Sequence, residues 1–102
     1  MTQQHTFELV RYKTKKIITI SENETYKDLD RKICEAYDYA LNESERAFFI
    51  GKPWVGYQLA TVNPDGSGKN IDEKLGPLLT KENVSYVFDF DQDIHHKIKF
   101  LQ

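Results

Sequence analysis

Near the C-terminal end, Asp89, Asp91, Asp93 and His95 recur at every second position, and His96 follows directly. Alternate side chains of an extended segment project to one side, and hard divalent cations favour such clusters of oxygen donors. Asp89, Asp91, Asp93 and His95 would thus share one side; the candidate metal ligands are Asp89, Asp91, Asp93 and His96, the adjacent imidazole. The segment opens like a calcium loop, Asp-x-Asp-x-Asp, but Ile94 stands where that loop needs Gly and Phe100 where it needs a bidentate Glu. A solvated turn, with Asp side chains capping backbone N–H groups, is the stronger reading of the same residues.

Other candidate chemistry is thinner. His95 and His96 are adjacent and face opposite sides of a strand. His96 shares parity with Ile98 and Phe100, which predicts a half-buried imidazole bonded to a carboxylate such as Asp89, with a general base or a pH switch as the sharper alternative. Gly66-Ser67-Gly68-Lys69 is similar to the end of a phosphate-binding loop, yet Asn63 lies where the first Gly belongs and Asn70 where a Ser or Thr would hold magnesium. Cys34 is the sole cysteine, which excludes an internal disulfide and a Cys-rich zinc site, and it reads as packing on the flank of a helix. His5 is expected in a mobile N-terminus. No Ser, His and Asp set has a recognisable spacing, so no catalytic constellation is complete, an enzyme is not expected, and no cofactor is implied.

A second group of residues suits binding. Arg11, Lys13, Lys15 and Lys16 cluster around one predicted hairpin turn, and Lys97 and Lys99 share one face of the last predicted strand. If those strands are neighbours, the cations form one basic surface, suited to an acidic protein surface or a phosphate backbone. Guarding an edge strand is the plainer use of such residues. Trp54, Tyr57 and Tyr39 are candidate partner anchors, because aromatic side chains dominate interface hot spots; core packing explains them equally well.

The elements that must position these residues follow from periodicity. Residues 5–12 alternate in polarity and residues 16–20 are rich in β-branched side chains, which predicts a β-hairpin. Thr25 and Asp28 have capping-box spacing, and Leu29, Ile33, Ala36, Tyr37 and Ala40 then mark one face of a helix. Residues 47–50 (AFFI) and 54–62 read as two strands separated by Gly51-Lys52-Pro53, and Asn63-Pro64-Asp65-Gly66 as a turn. Ile71, Leu75, Leu78 and Leu79 are spaced for a short helical turn, cut by Gly76-Pro77. Val84, Tyr86, Phe88 and Phe90 alternate with Ser85, Val87 and Asp89, and beyond the 91–93 turn Ile94, His96, Ile98 and Phe100 alternate with His95, Lys97, Lys99 and Leu101, which predicts a closing hairpin.

This order of elements resembles that of a ubiquitin-like β-grasp domain. The expectation is an α+β fold over residues 1–102 as a single domain, a mixed sheet packed on one main helix, with an extra C-terminal β-hairpin. Residues 16–33 (KIITISENETYKDLDRKI) and 47–52 (AFFIGK) are similar in rhythm to the ubiquitin hairpin, helix and following strand, although the chain ends Phe100-Leu101-Gln102 without a Gly-Gly tail. A closer resemblance, to the plasmid pRiA4b ORF-three-like family, rests on Ile18, Ile20, Leu29, Tyr37-Asp38-Tyr39, Phe49-Ile50-Gly51, residues 75–79 and residues 86–98. The family pattern Tyr-x-Tyr-Asp-Phe-Gly-Asp-x-Trp-x-His-x-Ile is matched by Asp89, Phe90, His96 and Ile98, and departed from at Asp91, Gln92 and Ile94. The resemblance implies a small protein of a plasmid, phage or transposon.

Composition sets the limits. The chain has 102 residues, 39% of them hydrophobic and 13% aromatic, enough for a core despite a mean hydropathy of −0.64. Fourteen Lys plus Arg against sixteen Asp plus Glu give a formal charge of −2, which makes nucleic-acid binding a minority expectation. No apolar run is long enough for a membrane span and residues 1–8 lack signal-peptide character, so a cytoplasmic protein is expected. The leading expectation is a non-enzymatic protein-interaction module, monomeric or homodimeric. Its rivals are a metal-binding protein or small metal-dependent enzyme at the 89–96 turn, and a nucleic-acid accessory protein using the basic hairpin.

Overall fold

The structure is a computed structural model and describes residues 4–75 and 83–101. Strands β1 (Gln4–Arg11) and β2 (Thr14–Ser21) pair antiparallel from Gln4↔Ser21 to Arg11↔Thr14. Tyr12 takes a left-handed φ of 52° in the turn between them, as tight hairpins require. The register sets Phe7 against Ile18, and His5 lies in β1, buried, rather than in a mobile terminus.

Helix α1 (Tyr26–Tyr37) starts at the predicted capping box: Thr25 N donates to Asp28 Oδ2 at 3.0 Å and Asp28 N to Thr25 Oγ1 at 3.4 Å. The remaining free N–H groups of its first turn are met by another segment, Tyr26 N donating to Glu73 O and Lys27 N to Ile71 O. That use of the 71–73 carbonyls explains why residues 71–75 form turns and a single bridge, Lys74 to Thr25, rather than the predicted helical turn. Leu75 is fully buried; Leu78 and Leu79 lie outside the described residues. The helix stops at Asp38, whose φ of 59° lets Tyr39 N donate to Cys34 O at 2.8 Å, so the helical face ends before Ala40.

Strands β3 (Arg46–Ile50) and β4 (Tyr57–Val62) pair antiparallel with a bulge at Phe48/Phe49. The strand expected from Trp54 begins only at Tyr57. Gly56 sits so close to the Ile50 carbonyl that any Cβ there would overlap it, and the 51–56 loop folds back on this contact. Strands β5 (Val84–Phe88) and β6 (Ile94–Phe100) pair antiparallel across the 89–93 turn; Phe90, expected on the strand in step with Phe88, lies instead in this turn, because the left-handed torsion at Asp89 ends β5 before it.

Among the described residues the fold is α+β: one helix against a six-stranded sheet of order β2-β1-β6-β5-β3-β4. The sheet is antiparallel throughout, not mixed, because β6 turns back on β5 and inserts beside β1. The core lies between α1 (Leu29, Ile33, Cys34) and the inner sheet face (Phe7, Leu9, Ile20, Phe48, Tyr86, Ile98). On the outer face, Ala47, Phe49 and Val87 form a second small cluster packed against Phe90.

Candidate functional site

The first and last strands are neighbours, as the basic-surface reading required. Val10 pairs with Lys97 on β6 and with Lys15 on β2, while Glu8 pairs with Lys99 and Ile17. Opposed residues of antiparallel strands share a face, so Lys15, Val10 and Lys97 form one row across the sheet, and Ile17, Glu8 and Lys99 the next. This is the face turned away from α1, and Lys15, Ile17, Lys97 and Lys99 are exposed on it. The predicted cluster is nevertheless split. Arg11 and Lys16 have the opposite parity, and the Arg11 guanidinium is on the helix side, where Nη1 donates to Tyr39 Oη at 2.8 Å. Lys13 is exposed in the hairpin turn.

Trp54 closes the outer-face cluster. It packs edge-on against Phe49 and Phe90, with ring centroids 5.1 and 4.8 Å away, and remains 47% exposed. Register joins it to the basic half of the face, since Lys97 pairs with Ser85 and Ser85 with Phe49. Tyr57 is exposed at the start of β4. Tyr39 instead belongs to the inner side, stacked on Phe88 at 4.0 Å.

The acidic turn is used structurally. Residues 89–93 are not extended, so the alternation that would align the carboxylates does not arise. Asp89 and Asp93 adopt φ of 61° and 55°, and Asp93 N donates to Asp89 O at 2.6 Å. Asp89 Oδ1 accepts from the backbone N–H groups of Asp91 and Gln92. Asp93 Oδ1 accepts from Trp54 Nε1 at 2.6 Å and lies 2.7 Å from His95 Nε2; the indole hydrogen bond, then that of the imidazole, holds its carboxyl below the usual range. Asp91 is exposed, and His96 points to the other face. Among the described residues, no three His, Cys, Asp or Glu side chains are grouped to hold a metal.

His96 is buried, but its partners are not carboxylates. Nδ1 lies 3.2 Å from the Tyr86 carbonyl, which can only accept, so Nδ1 carries the proton and Nε2 accepts from the Tyr39 hydroxyl at 2.7 Å. Burial pushes the imidazole pKa from 6.5 down to about 4, and the nearby Arg11 charge adds to that push. His96 is a neutral ring in the ordinary pH range, and Tyr39 links it to Arg11. Asp89 has no part in this arrangement, contrary to the expected carboxylate partner.

One buried ionic group escaped sequence reasoning. Asp30 and Arg46, 1% and 2% exposed, form a two-pronged pair: Nε to Oδ1 at 3.0 Å and Nη2 to Oδ2 at 2.7 Å. Tyr86 Oη donates to Asp30 Oδ1 at 2.7 Å, and Arg46 Nη1 caps the Leu41 and Ser44 carbonyls. Burial alone would lower the Arg46 pKa, but the hydrogen bonds and charge of Asp30 outweigh it and raise the value. Cys34 lies beside this group, its thiol pushed up to about 11 by burial and by the Asp30 charge. The available signal was the spacing of Asp30, Ile33, Cys34 and Tyr37, which places a carboxylate on the helix's inward side. Every partner around the pair is a framework contact, so it ties α1 to β3 and β5.

No family model matches the chain, and no curated protein matches it. A solved structure similar in fold is that of a protein of unknown function, MM3350, from Methanosarcina mazei Go1, with a TM-score of 0.76 and 18% identity over 99% of this chain. The chain spans 60% of that protein's length. At this identity the similarity is one of fold. No helix among the described residues is long and apolar enough to cross a membrane.

Proposed function

We propose that this protein is a non-enzymatic interaction module that docks on another protein through the outer face of its sheet. The observation that carries the reading is the register of β2, β1 and β6, which gathers Lys15, Lys97 and Lys99 with Val10 and Ile17 on a face that α1 leaves open. Ammonium groups beside the exposed Ile17 and the half-buried Val10 suit an acidic protein surface, where charge steers the encounter and apolar area holds it. A phosphate backbone is the weaker fit, because Glu8 interrupts the patch and the whole chain is net acidic.

The fold reading goes with this one. Leaving β6 aside, the strand order is β2-β1-β5-β3-β4, which we read as a β-grasp sheet into which a C-terminal hairpin has inserted its last strand. The residues shared with the plasmid pRiA4b ORF-three-like pattern have framework positions: His96 and Ile98 in the core, Phe90 against the outer cluster, Asp89 as a turn cap. They support membership through the fold and assign no ligand site. Such membership would imply a role for a plasmid, phage or transposon, which we propose together with a cytoplasmic location.

The test is affinity purification of the tagged protein from its source cells, with nuclease treatment, against a Lys15→Glu/Lys97→Glu variant. A stoichiometric protein that survives nuclease and is lost in the variant is the expected result. Recovery of nucleic acid alone, or of the same protein with both forms, overturns the reading.

A further inference from the structure

The two edges of the sheet differ. At the β4 edge the chain covers itself: Thr61 N donates to Lys69 O at 3.0 Å, Lys69 N to Thr61 Oγ1 at 3.0 Å, Asn63 N to Ser67 O at 2.7 Å, and Asn70 Nδ2 to Leu59 O at 3.0 Å. Gly68 belongs to this cover, pressed against the Thr61 carbonyl so closely that a Cβ would overlap it. At the β2 edge, among the described residues, only Ser21 is engaged, its N–H by Glu24 Oε2 at 2.8 Å and its carbonyl by Glu24 N at 3.0 Å. Among the described residues, the ladder partners of residues 14–20 are all on β1. Alternate N–H and C=O groups of an edge strand point away from its neighbour, so this stretch presents an open ladder about 20 Å long.

From these observations we propose that the β2 edge accepts an extended acidic segment of the partner protein as a seventh strand. The inference rests on the interaction-module reading and names its contact. Side chains along the edge specify what enters. Lys15 and Lys16 point to opposite faces near the hairpin turn, so a strand carrying two consecutive carboxylates beside them is matched on both faces. Farther along, Ile17 is 58% exposed on the outer face and calls for an apolar or β-branched neighbour. Main-chain hydrogen bonds supply the attachment and these side chains the selectivity.

The same lysines argue against a second copy as the occupant. Pairing β2 with its own copy, antiparallel about Ile17 or Ile18, brings two Lys15-Lys16 sets onto one short ladder, and edge lysines commonly guard against such self-pairing. An acidic strand turns that guard into an attraction.

The experiment uses the full chain and a synthetic peptide of two Glu followed by alternating Val and Thr. A companion peptide is N-methylated at alternate residues, and a third has Lys in place of Glu. Binding is read by fluorescence anisotropy, and the site by amide exchange. The expected result is slowed exchange confined to β2, an affinity lower by about tenfold or more for the N-methylated peptide and for a Lys15→Glu/Lys16→Glu variant, and no binding of the Lys peptide. Equal binding of parent and N-methylated peptides, or no binding of the parent, overturns the edge assignment. If the source-cell partner is still captured in either case, the interaction-module reading stands without it; if that is lost too, both fail. A concentration-dependent dimer that protects the same amides makes the second copy the occupant and overturns the acidic-strand proposal.

Discussion

The Tyr39 hydroxyl stands 2.7 Å from Nε2 of the buried His96, and Arg11 Nη1 donates to the same hydroxyl at 2.8 Å. Three elements meet in this arrangement: β1 through Arg11, the end of α1 through Tyr39, and β6 through His96. The left-handed Asp38 makes it possible, turning Tyr39 back onto Tyr37, with rings stacked 5.4 Å apart. Burial raises the pKa of Tyr39, so its hydroxyl keeps its proton and remains a donor to the imidazole. The contact is a structural joint between the two ends of the chain.

That joint makes stability depend on pH in a stated direction. In the unfolded chain an imidazole binds its proton near pH 6.5; in the fold His96 does so only near 4. The unfolded state therefore holds more protons between these values. The His96 contribution is complete above about pH 6.5 and declines as pH falls toward 4, by about 3 kcal/mol across the window. Urea unfolding at pH 7.5 and 4.5 checks this against His96→Gln, in which the pH-dependent loss is expected to shrink by about that amount. Equal losses in the two proteins would show that His96 is not the group responsible.

Much of this fold is legible from residue types, and the departures have local causes. Alternation in residues 5–12 and 84–90 and the Thr25/Asp28 box act through neighbours in sequence, and the strands and helix start they predict are present, except that β5 stops at Phe88 and leaves Phe90 in the turn. The pairing of Tyr39 with His96 depends on one backbone torsion at Asp38, and the parity that divides Lys15 from Lys16 matters only once the sheet's covered face is known. The 89–93 segment is legible as a turn whose Asp side chain caps backbone N–H groups, as Asp89 does; the alternative of aligned carboxylates assumes extended backbone, which the left-handed torsions at Asp89 and Asp93 remove. Periodicity also says nothing of strand order, so the insertion of β6 between β1 and β5 was out of its reach.

Removing the Asp30 carboxylate should be costly. Asp30→Asn leaves the Arg46 guanidinium 2% exposed without its counter-charge, a loss of about 3–5 kcal/mol in such buried pairs. That is a large fraction of the roughly 5–15 kcal/mol that holds a domain together. Replacing both partners, Asp30→Leu with Arg46→Met, removes the uncompensated charge but leaves the Leu41 and Ser44 carbonyls and the Tyr86 hydroxyl without these partners. Guanidinium unfolding should therefore place the double variant between the wild type and Asp30→Asn. A double variant less stable than Asp30→Asn would mean that the lost caps outweigh the charge.

Cys34 offers a probe of opening. Its thiol is 1% exposed and its pKa is pushed to about 11, so both access and thiolate fraction oppose reaction at neutral pH. An aromatic disulfide reagent at pH 8 should label the native protein only as fast as α1 lifts from the sheet, and the unfolded protein within minutes. Labelling in native buffer at the rate of a free thiol would contradict this packing.

Trp54 is held by Asp93 in a conformation it would not choose alone. Its φ of 69° is unfavourable for a bulky side chain, and the hydrogen bond from Nε1 to Asp93 Oδ1 helps to keep the loop there. As the single tryptophan, it reports directly on this contact. Asp93→Ala should shift its emission to longer wavelength and increase quenching by iodide, with little change in the thermal midpoint because the site is exposed. In the wild type the same shift should appear on acidification only below pH 3.8, the ordinary value from which the Asp93 carboxyl is lowered. Calcium, magnesium or zinc should leave the emission unchanged, since Asp93 Oδ1 is committed to Trp54 and His95 and Asp89 Oδ1 to the turn backbone. A saturable response to any of these ions, lost in Asp93→Ala, would mean that the turn can exchange its internal hydrogen bonds for a metal.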